Sequence, residues 1–311
     1  MSDSLHIFAP ATVANVACGF DILGFALDQP GDEIRIAHTP DNPTISISNE
    51  TAFTAIPTDP AKNTLGVSLR AYLDHIGHRG GFAITMLRKV RSGSGIGSSS
   101  ASAAASVFGA NELLGRPLSR IELVRFAMQG EKVACGTAHA DNVAPALLGG
   151  FVLVRSYEPL EVVTLDYPRD LFCTVVHPQI ELKTEDARRV LRRDIPLQSA
   201  VVQWGNIAGL VAGLYKGDYG LIGRSLEDVV IEPVRSILIP GYTQVKQAAM
   251  EAGALGASIS GSGPSMFALS PDASTAQAVA SAMQKQFEQL EIESIAYVSQ
   301  VNAEGARIEK K

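Results

Sequence analysis

Apolar and polar residues alternate strictly in two early stretches of this chain, DEIRIA (32–37) and TISIS (44–48). A period of two predicts half-buried β-strands. HIFAPATVANV (6–16) reads as a strand before them, and GFAITMLRKV (81–90) as one after them, with Phe82, Ile84 and Met86 on one face. Between these lies KNTLGVSLRAYLDHIG (62–77), where Leu65, Leu69, Tyr72, Leu73 and Ile76 recur at helical spacing and Gly77 stops the run. ASAAASVFGANELLG (101–115) is a series of good helix formers closing on glycine. SRIELVRFAMQGEKVACG (119–136) opens with a capping box, Ser119 with Glu122, and stops at Gly136. GGFVLV (149–154) and EVVTL (161–165) form a hairpin, and DLFCTVVHP (170–178) starts a fresh strand after Pro168.

The remainder alternates helix and strand. TEDARRVL (184–191), QSAVVQWGNIAGLVAGLY (198–215) and TQVKQAAMEAG (243–253) read as helices, ASISGSGPSMFAL (257–269) as strand, glycine loop and strand. Helix STAQAVASAMQKQFEQL (274–290) and strand SIAYVSQV (294–301) follow. With no regular βαβ series, helices packed on antiparallel sheets give an α+β class. The boundary is placed near Pro168, dividing the 311 residues into 1–167 and 168–311.

Composition narrows the function. A hydrophobic content of 46% supports a sizeable core, and the net charge of −6 comes without a long basic cluster. Nucleic acid and acidic membranes are therefore not expected partners. The start shows no basic leader with an apolar core, and no long apolar run escapes interruption by glycine, proline and serine, so a soluble cytoplasmic protein is expected. Cys18, Cys135 and Cys173 are widely spaced and read as free thiols, Cys18 as a small packed residue.

The chemistry starts at RSGSGIGSSSASAAAS (91–106). Such a stretch is either a flexible linker or a turn that cradles phosphate. A linker would stay polar, whereas this one runs straight into a helix fit for burial. Strand, glycine turn and helix is the setting in which free N–H groups and the helix dipole attract an anion. The dinucleotide fingerprint fails because Ser98 stands where a third glycine is needed, and no lysine follows the glycines as in a P-loop. What remains is Gly93-x-Gly95-x-Gly97 followed by Ser98, Ser99 and Ser100.

G-x-G-I-G-S-S-S-A-S resembles the nucleotide loop of the GHMP kinases. PATVANVACGFDILGFAL (10–27) is similar to that family's first motif and GALGASISGSGPSMFAL (253–269) to its third. In order, the three motifs span nearly the whole chain. GTAHADNVAPALLGG (136–150), TEDAR (184–188) and EPVRSILIPGY (232–242) resemble the branch whose acceptor is L-homoserine. Ser92, Ile96 and Val16-Ala17-Cys18 depart conservatively from the commoner pattern. The resemblance implies a two-domain fold, with an N-terminal mixed β-sheet and helices and a C-terminal ferredoxin-like α/β sandwich. It implies ATP and Mg²⁺, a homodimer, and phosphorylation of an alcohol. A sugar- or mevalonate-type acceptor, or a non-catalytic regulator, are the rival readings.

Each candidate residue has a plain reading beside the functional one. Glu131 could be a solvated acid beside Lys132, but Gly130 inside the helix points to close approach of another backbone; the resemblance implies that Glu131 and Ser99 ligate Mg²⁺. His139, Asp141 and Asn142 crowd what reads as a loop, and could simply bond their own backbone. The resemblance places them around the acceptor, with Asp141 as base or positioning residue. Asn63 could be an N-cap or meet the purine, and Asp21 could cap a segment or counter an ammonium. Arg188, Arg189, Arg192 and Arg193 would ordinarily be a solvated face. The family pattern implies that Arg188 and Arg235 hold a carboxylate, a task suited to planar guanidiniums. Asn15, Thr184 and Gly261 complete the implied acceptor site, and Arg91, Ser92, Gly93, Ser94, Gly95, Ile96, Gly97, Ser98, Ser99 and Ser100 the nucleotide loop.

Overall fold

The computed structural model describes residues 4–136, 138–182 and 184–309, without the side chains of Ala134 and Cys135. The thiol expected at Cys135 thus lies outside the described residues; Cys18 and Cys173 are free and buried. In chain order the first half runs β1 (Ser4–Ala14), β2 (Leu23–Thr39), β3 (Ile45–Asn49), α1 (Thr64–Ile76), β4 (Gly81–Arg88), α2 (Ser98–Leu113), α3 (Arg120–Cys135), α4 (Ala140–Leu148), β5 (Phe151–Tyr157) and β6 (Leu160–Leu165). The second half runs β7 (Phe172–Pro178), α5 (Thr184–Arg189), α6 (Leu197–Lys216), α7 (Tyr219–Ser225), α8 (Glu232–Arg235), α9 (Tyr242–Glu251), β8 (Gly256–Ile259), β9 (Met266–Ser270), α10 (Ala273–Gln289), β10 (Ser294–Gln300) and β11 (Arg307–Ile308).

Local chemistry explains the helix ends. The Asn63 side chain accepts from the Leu65 N–H at the start of α1, and Gly77 ends that helix at φ 67°. The Ser119–Glu122 capping box forms as expected, and Gly136 closes α3 in the left-handed region. Helix α2 is buried almost end to end, which its alanine and serine side chains permit. It packs against β1, β2 and helices α1, α3 and α4.

The first sheet has the order β11-β1-β2-β4-β3, with β5 on β2 and β6 on β5; only β3–β4 is parallel, so the sheet is mixed. The second sheet has the order β10-β7-β9-β8, all antiparallel. That order, with α10 between β9 and β10, is the ferredoxin-like pattern, and the α+β class holds. One apolar cluster lies under α1–α4, another under α9 and α10, and a third joins Phe25 and Phe151 of the first sheet to Phe267 and Leu269 of the second. The chain's last strand, β11, returns to pair with β1.

His139, Asp141 and Asn142 do not share a loop: residues Ala140–Leu148 form α4, with His139 at its N-cap. Pro145 inside the helix and two following glycines hid a helix whose Val143, Ala144, Ala146 and Leu147 are buried. β2 also extends well past DEIRIA, through Pro30 and Gly31, with a shift of register against β1. α7, α8 and β11 are too short to carry a readable period.

Candidate active site

The cavity lies where the starts of α2 and α4, the end of α3, α5, α8 and the turn after β1 converge. It holds about 1060 Å³. Among the candidate residues it is lined by Asn15, Asp21, Asn63, Ser92, Gly93, Ser94, Gly95, Gly97, Ser98, Ser99, Glu131, His139, Asp141, Asn142, Thr184, Arg188, Arg235 and Gly261. Three candidates stand apart from this lining. Ile96 is buried in the apolar core, Ser100 is buried within α2, and exposed Arg91 donates to Gln179 on the far side of the loop.

The glycine loop is fixed on two sides. Gly97 has φ 65°, and a Cβ there would stand 2.0 Å from Thr12 Oγ1, so only glycine lets β1 pass. The Thr12 N–H donates to the Ile96 carbonyl, and Thr12 Oγ1 donates to Asn142 Oδ1 at 2.7 Å. Gly95 meets the second glycine-rich loop: a Cβ would lie 2.6 Å from the Gly263 carbonyl oxygen. Ser260 Oγ donates to the Gly95 carbonyl at 2.8 Å. Gly95 therefore serves a crossing of two loops, while Gly93 has open space and leaves room for a ligand. The Ser98 hydroxyl donates to the Val90 carbonyl, which anchors the helix start, and half-buried Ser99 lines the cavity. The first N–H groups of α2 have no acceptor within their own helix, an arrangement suited to an anion.

Beneath the loop sits a buried cation that the sequence reading missed. Lys89 Nζ donates to Asp32 Oδ2 at 3.0 Å and to Ser102 Oγ at 2.6 Å. Asp32 in turn accepts the Val90 N–H, so the strand end and α2 are locked together. Glu131, 5% exposed, faces the same cavity from α3. Its neighbour Gly130 does meet another backbone: a Cβ would lie 2.4 Å from Ser68 Oγ and 2.9 Å from the Thr64 carbonyl oxygen of α1. The Asn63 side chain accepts from Leu65 N–H and donates to the Pro57 carbonyl, so it is engaged as an N-cap while lining the cavity.

The acceptor end concentrates charge. Asn15, Val16, Ala17 and Asp21 all have positive φ, a strained turn held by a ring of bonds. Asn15 accepts the Asp21 N–H at 3.0 Å and donates to the Gly261 carbonyl at 2.6 Å. Arg188 grips Asp21 with both terminal nitrogens, at 2.8 and 3.3 Å. Arg235 donates to the carbonyls of Ala187 and Gly261. Both guanidiniums lie over the Phe20 ring. Burial, and then Arg188, push Arg235 down to about 10, which leaves it a cation at neutral pH. The His139 imidazole is 3.6 Å from Asp21, and burial, with Arg188 and Arg235, lowers its pKa against the pull of Asp21. Asp141 stands in the first turn of α4, 2% exposed, and its Oδ1 has no hydrogen-bond partner among the described residues. Burial, then Asp21 and Glu131, push its carboxyl up to about 7. The Thr184 hydroxyl pairs with Ser262 at 3.2 Å.

Three more residues position this end without any sequence signal to mark them. The Tyr157 hydroxyl donates to the Asp21 carbonyl and accepts the Ala140 N–H, tying the strained turn to α4. Gln203 of α6 donates both to the Cys18 carbonyl and to Asp228 Oδ1. Asp228 also accepts the N–H groups of Val230, Ile231 and Glu232, and so caps the short helix that ends in Arg235.

Residues 63–150 match the GHMP kinases N terminal domain, and residues 210–289 match GHMP kinases C terminal. The chain is 50% identical to the homoserine kinase of Chloroherpeton thalassium, covering 97% of this chain and 98% of that one. It is 52% identical to the homoserine kinase of Chlorobium phaeovibrioides, over 98% and 99% of the two chains. The crystal structure of homoserine kinase from Cytophaga hutchinsonii superposes with a TM-score of 0.95 at 52% identity, covering 99% of this chain and 98% of the other.

Proposed function

The chain belongs to the homoserine kinases of the GHMP kinase family, and from that premise we propose how its cavity works. The protein transfers the terminal phosphoryl group of ATP to the hydroxyl of L-homoserine, giving ADP and O-phospho-L-homoserine on the route to threonine. Residues 1–167 hold the nucleotide and residues 168–311 complete the acceptor site. The N–H groups at the start of α2 and the loop around Gly93 receive the phosphates, and Ser99 and Glu131 suit Mg²⁺. They offer a hydroxyl and a buried carboxylate, hard oxygen donors too few to bind an ion without the nucleotide. Among the described residues no group of three or more His, Cys, Asp or Glu converges on a metal position. When bound, magnesium neutralises phosphate charge.

The observation that carries the acceptor is Asp21 paired with Arg188 beside Arg235, lining one cavity with the glycine loop. A zwitterionic amino acid enters by exchange: its carboxylate takes the arginines and its ammonium takes Asp21. Opposite charges remain paired throughout, so binding avoids the penalty of an isolated buried charge. Asp141 orients the hydroxyl and takes its proton, a role that suits a carboxyl poised near neutrality. The loose transition state of phosphoryl transfer then asks mainly for alignment and neutralisation. A sugar acceptor would have no use for the arginine pair. The enzyme acts in the cytoplasm as a homodimer.

The reading is tested by Arg235→Leu with L-homoserine and ATP, the product followed by ³¹P NMR. Loss of a charge-assisted bond should lower kcat/KM for homoserine by roughly ten- to a hundredfold while KM for ATP stays near its original value. Full activity with homoserine in this variant would contradict the assignment of the carboxylate site.

A further inference from the structure

The inner face of α6 is committed to the acceptor site through Gln203, yet its outer face is bare. Leu197 is 72% exposed, Trp204 is 59% exposed, and Val201 and Tyr215 are also exposed. At 100° per residue these four fall in one straight stripe, about 27 Å long at 1.5 Å rise per residue. Ala208 lies between them, and Gly205 beside the stripe has open space around it. From Ile195 to Tyr215 the sequence contains no charged residue and no histidine. Isolated exposed apolar residues are ordinary; a continuous apolar stripe on a helix uncharged up to its final residue, Lys216, marks a contact surface.

We propose that the outer face of α6 packs against the same face of a second copy of this chain. The proposal rests on the homodimer put forward above and names the surface that makes it. Two observations favour a second copy over another occupant. The chain carries a net charge of −6, so two copies repel except where the facing surfaces hold no charge. Around a two-fold axis residue i of one copy meets j of the other and j meets i, so residues near the axis face their own counterparts and a charge there would oppose itself; α6 carries none before Lys216. Leu197, Val201, Trp204 and Tyr215 together expose roughly 480 Å², more than half of the ~800 Å² per partner of a stable interface, the rest falling to the flanks of the helix. An acidic chain with no basic residue on this face has nothing to draw it to an anionic lipid surface. Because Gln203 on the opposite side of α6 bonds the strained turn that carries Asp21, the contact also braces the acceptor site.

Trp204 is the single tryptophan of the chain, so its fluorescence reads this face alone. The test follows emission maximum and iodide quenching of the full-length protein from nanomolar to tens of micromolar, beside sedimentation velocity. Trp204→Phe serves as the spectroscopic blank, and Val201→Glu as the disrupting variant that keeps the tryptophan. The expected result is a dimer whose formation shifts emission to the blue and shields Trp204 from iodide. In Val201→Glu the dimer dissociation constant should rise by about a hundredfold or more. A wild-type dimer whose Trp204 stays open to iodide, with Val201→Glu equally dimeric, would overturn the surface while leaving the homodimer intact. A wild-type chain that stays monomeric throughout would overturn both.

Discussion

Replacing Asp141 by asparagine should stabilise the protein at the same time as it disables it, and the size of the gain should depend on pH in a way fixed by the site. Burial, Asp21 and Glu131 raise the Asp141 carboxyl to about 7 in the folded chain, whereas in the unfolded chain it titrates near ~3.9. Between those values the folded state keeps a proton that the unfolded state has released. Stability therefore falls as pH rises from about 4 to about 7, then levels off. Three units at ~1.36 kcal/mol each put the penalty at neutral pH near 4 kcal/mol. Asparagine keeps the volume and removes the ionisation. Its buried amide brings a cost of ~1–3 kcal/mol if unpaired, but that cost is the same at every pH. The stability of Asp141→Asn relative to the parent should thus grow by about 2–3 kcal/mol between pH 5 and pH 8. Urea unfolding at four pH values, without nucleotide or magnesium, measures it. The variant should also lose ~10²–10⁴-fold in kcat, together with the acid limb near pH 7 expected of the parent. A stability difference that stays flat from pH 5 to pH 8 would mean an ordinary carboxylate, and the proton-acceptor role would lose its basis.

Two further substitutions probe the nucleotide end. Glu131→Gln keeps shape and removes the charge a hard cation requires, so activity should fall at least ~100-fold at limiting Mg²⁺ and recover in part as Mg²⁺ is raised; parental activity at limiting Mg²⁺ would make the residue a bystander. Gly93→Ala and Gly95→Ala both place a side chain at positive φ, costing ~1–2 kcal/mol each, but only Gly95 would drive a Cβ onto the Gly263 carbonyl. Chemical denaturation should therefore show a further loss of ~1–3 kcal/mol at Gly95, and equal losses at the two positions would disprove the loop crossing.

Most of the fold was legible because its long elements carry strong periods or explicit caps. The Ser119–Glu122 box and the glycine stops at Gly77 and Gly136 mark helix ends that the structure reproduces. α4 escaped because Pro145 breaks the usual helical signature, and with it went the true setting of Asp141 and Asn142, in a helix's first turn rather than a loop. Gly130 was read correctly as a point of close approach, since a glycine in mid-helix costs stability without a packing reason. Ile96 lies in the glycine loop where the motif puts it, but motif position says nothing of its side chain, which is buried in the core. Lys89 stood beside the loop in plain sight, but a lone lysine at a strand end is usually solvated; only its burial with Asp32 gives it meaning. Tyr157, Gln203 and Asp228 act through bonds to backbone carbonyls and N–H groups far away in sequence, and no local pattern encodes such pairings.

The central claim, a kinase whose acceptor site is built for a zwitterion, is tested most directly by comparing two acceptors in a coupled assay of ADP release. L-Homoserine carries both the carboxylate and the ammonium; 4-hydroxybutyrate has the same reacting hydroxyl and carboxylate but lacks the ammonium that Asp21 would receive. The loss of one charge-assisted hydrogen bond, ~1.5–3 kcal/mol, predicts kcat/KM for L-homoserine higher by roughly ten- to a hundredfold. Asp21→Asn should shrink that preference severalfold. Equal rates with the two acceptors in the parent enzyme would leave a GHMP kinase fold standing and contradict the amino-acid site argued from Asp21, Arg188 and Arg235.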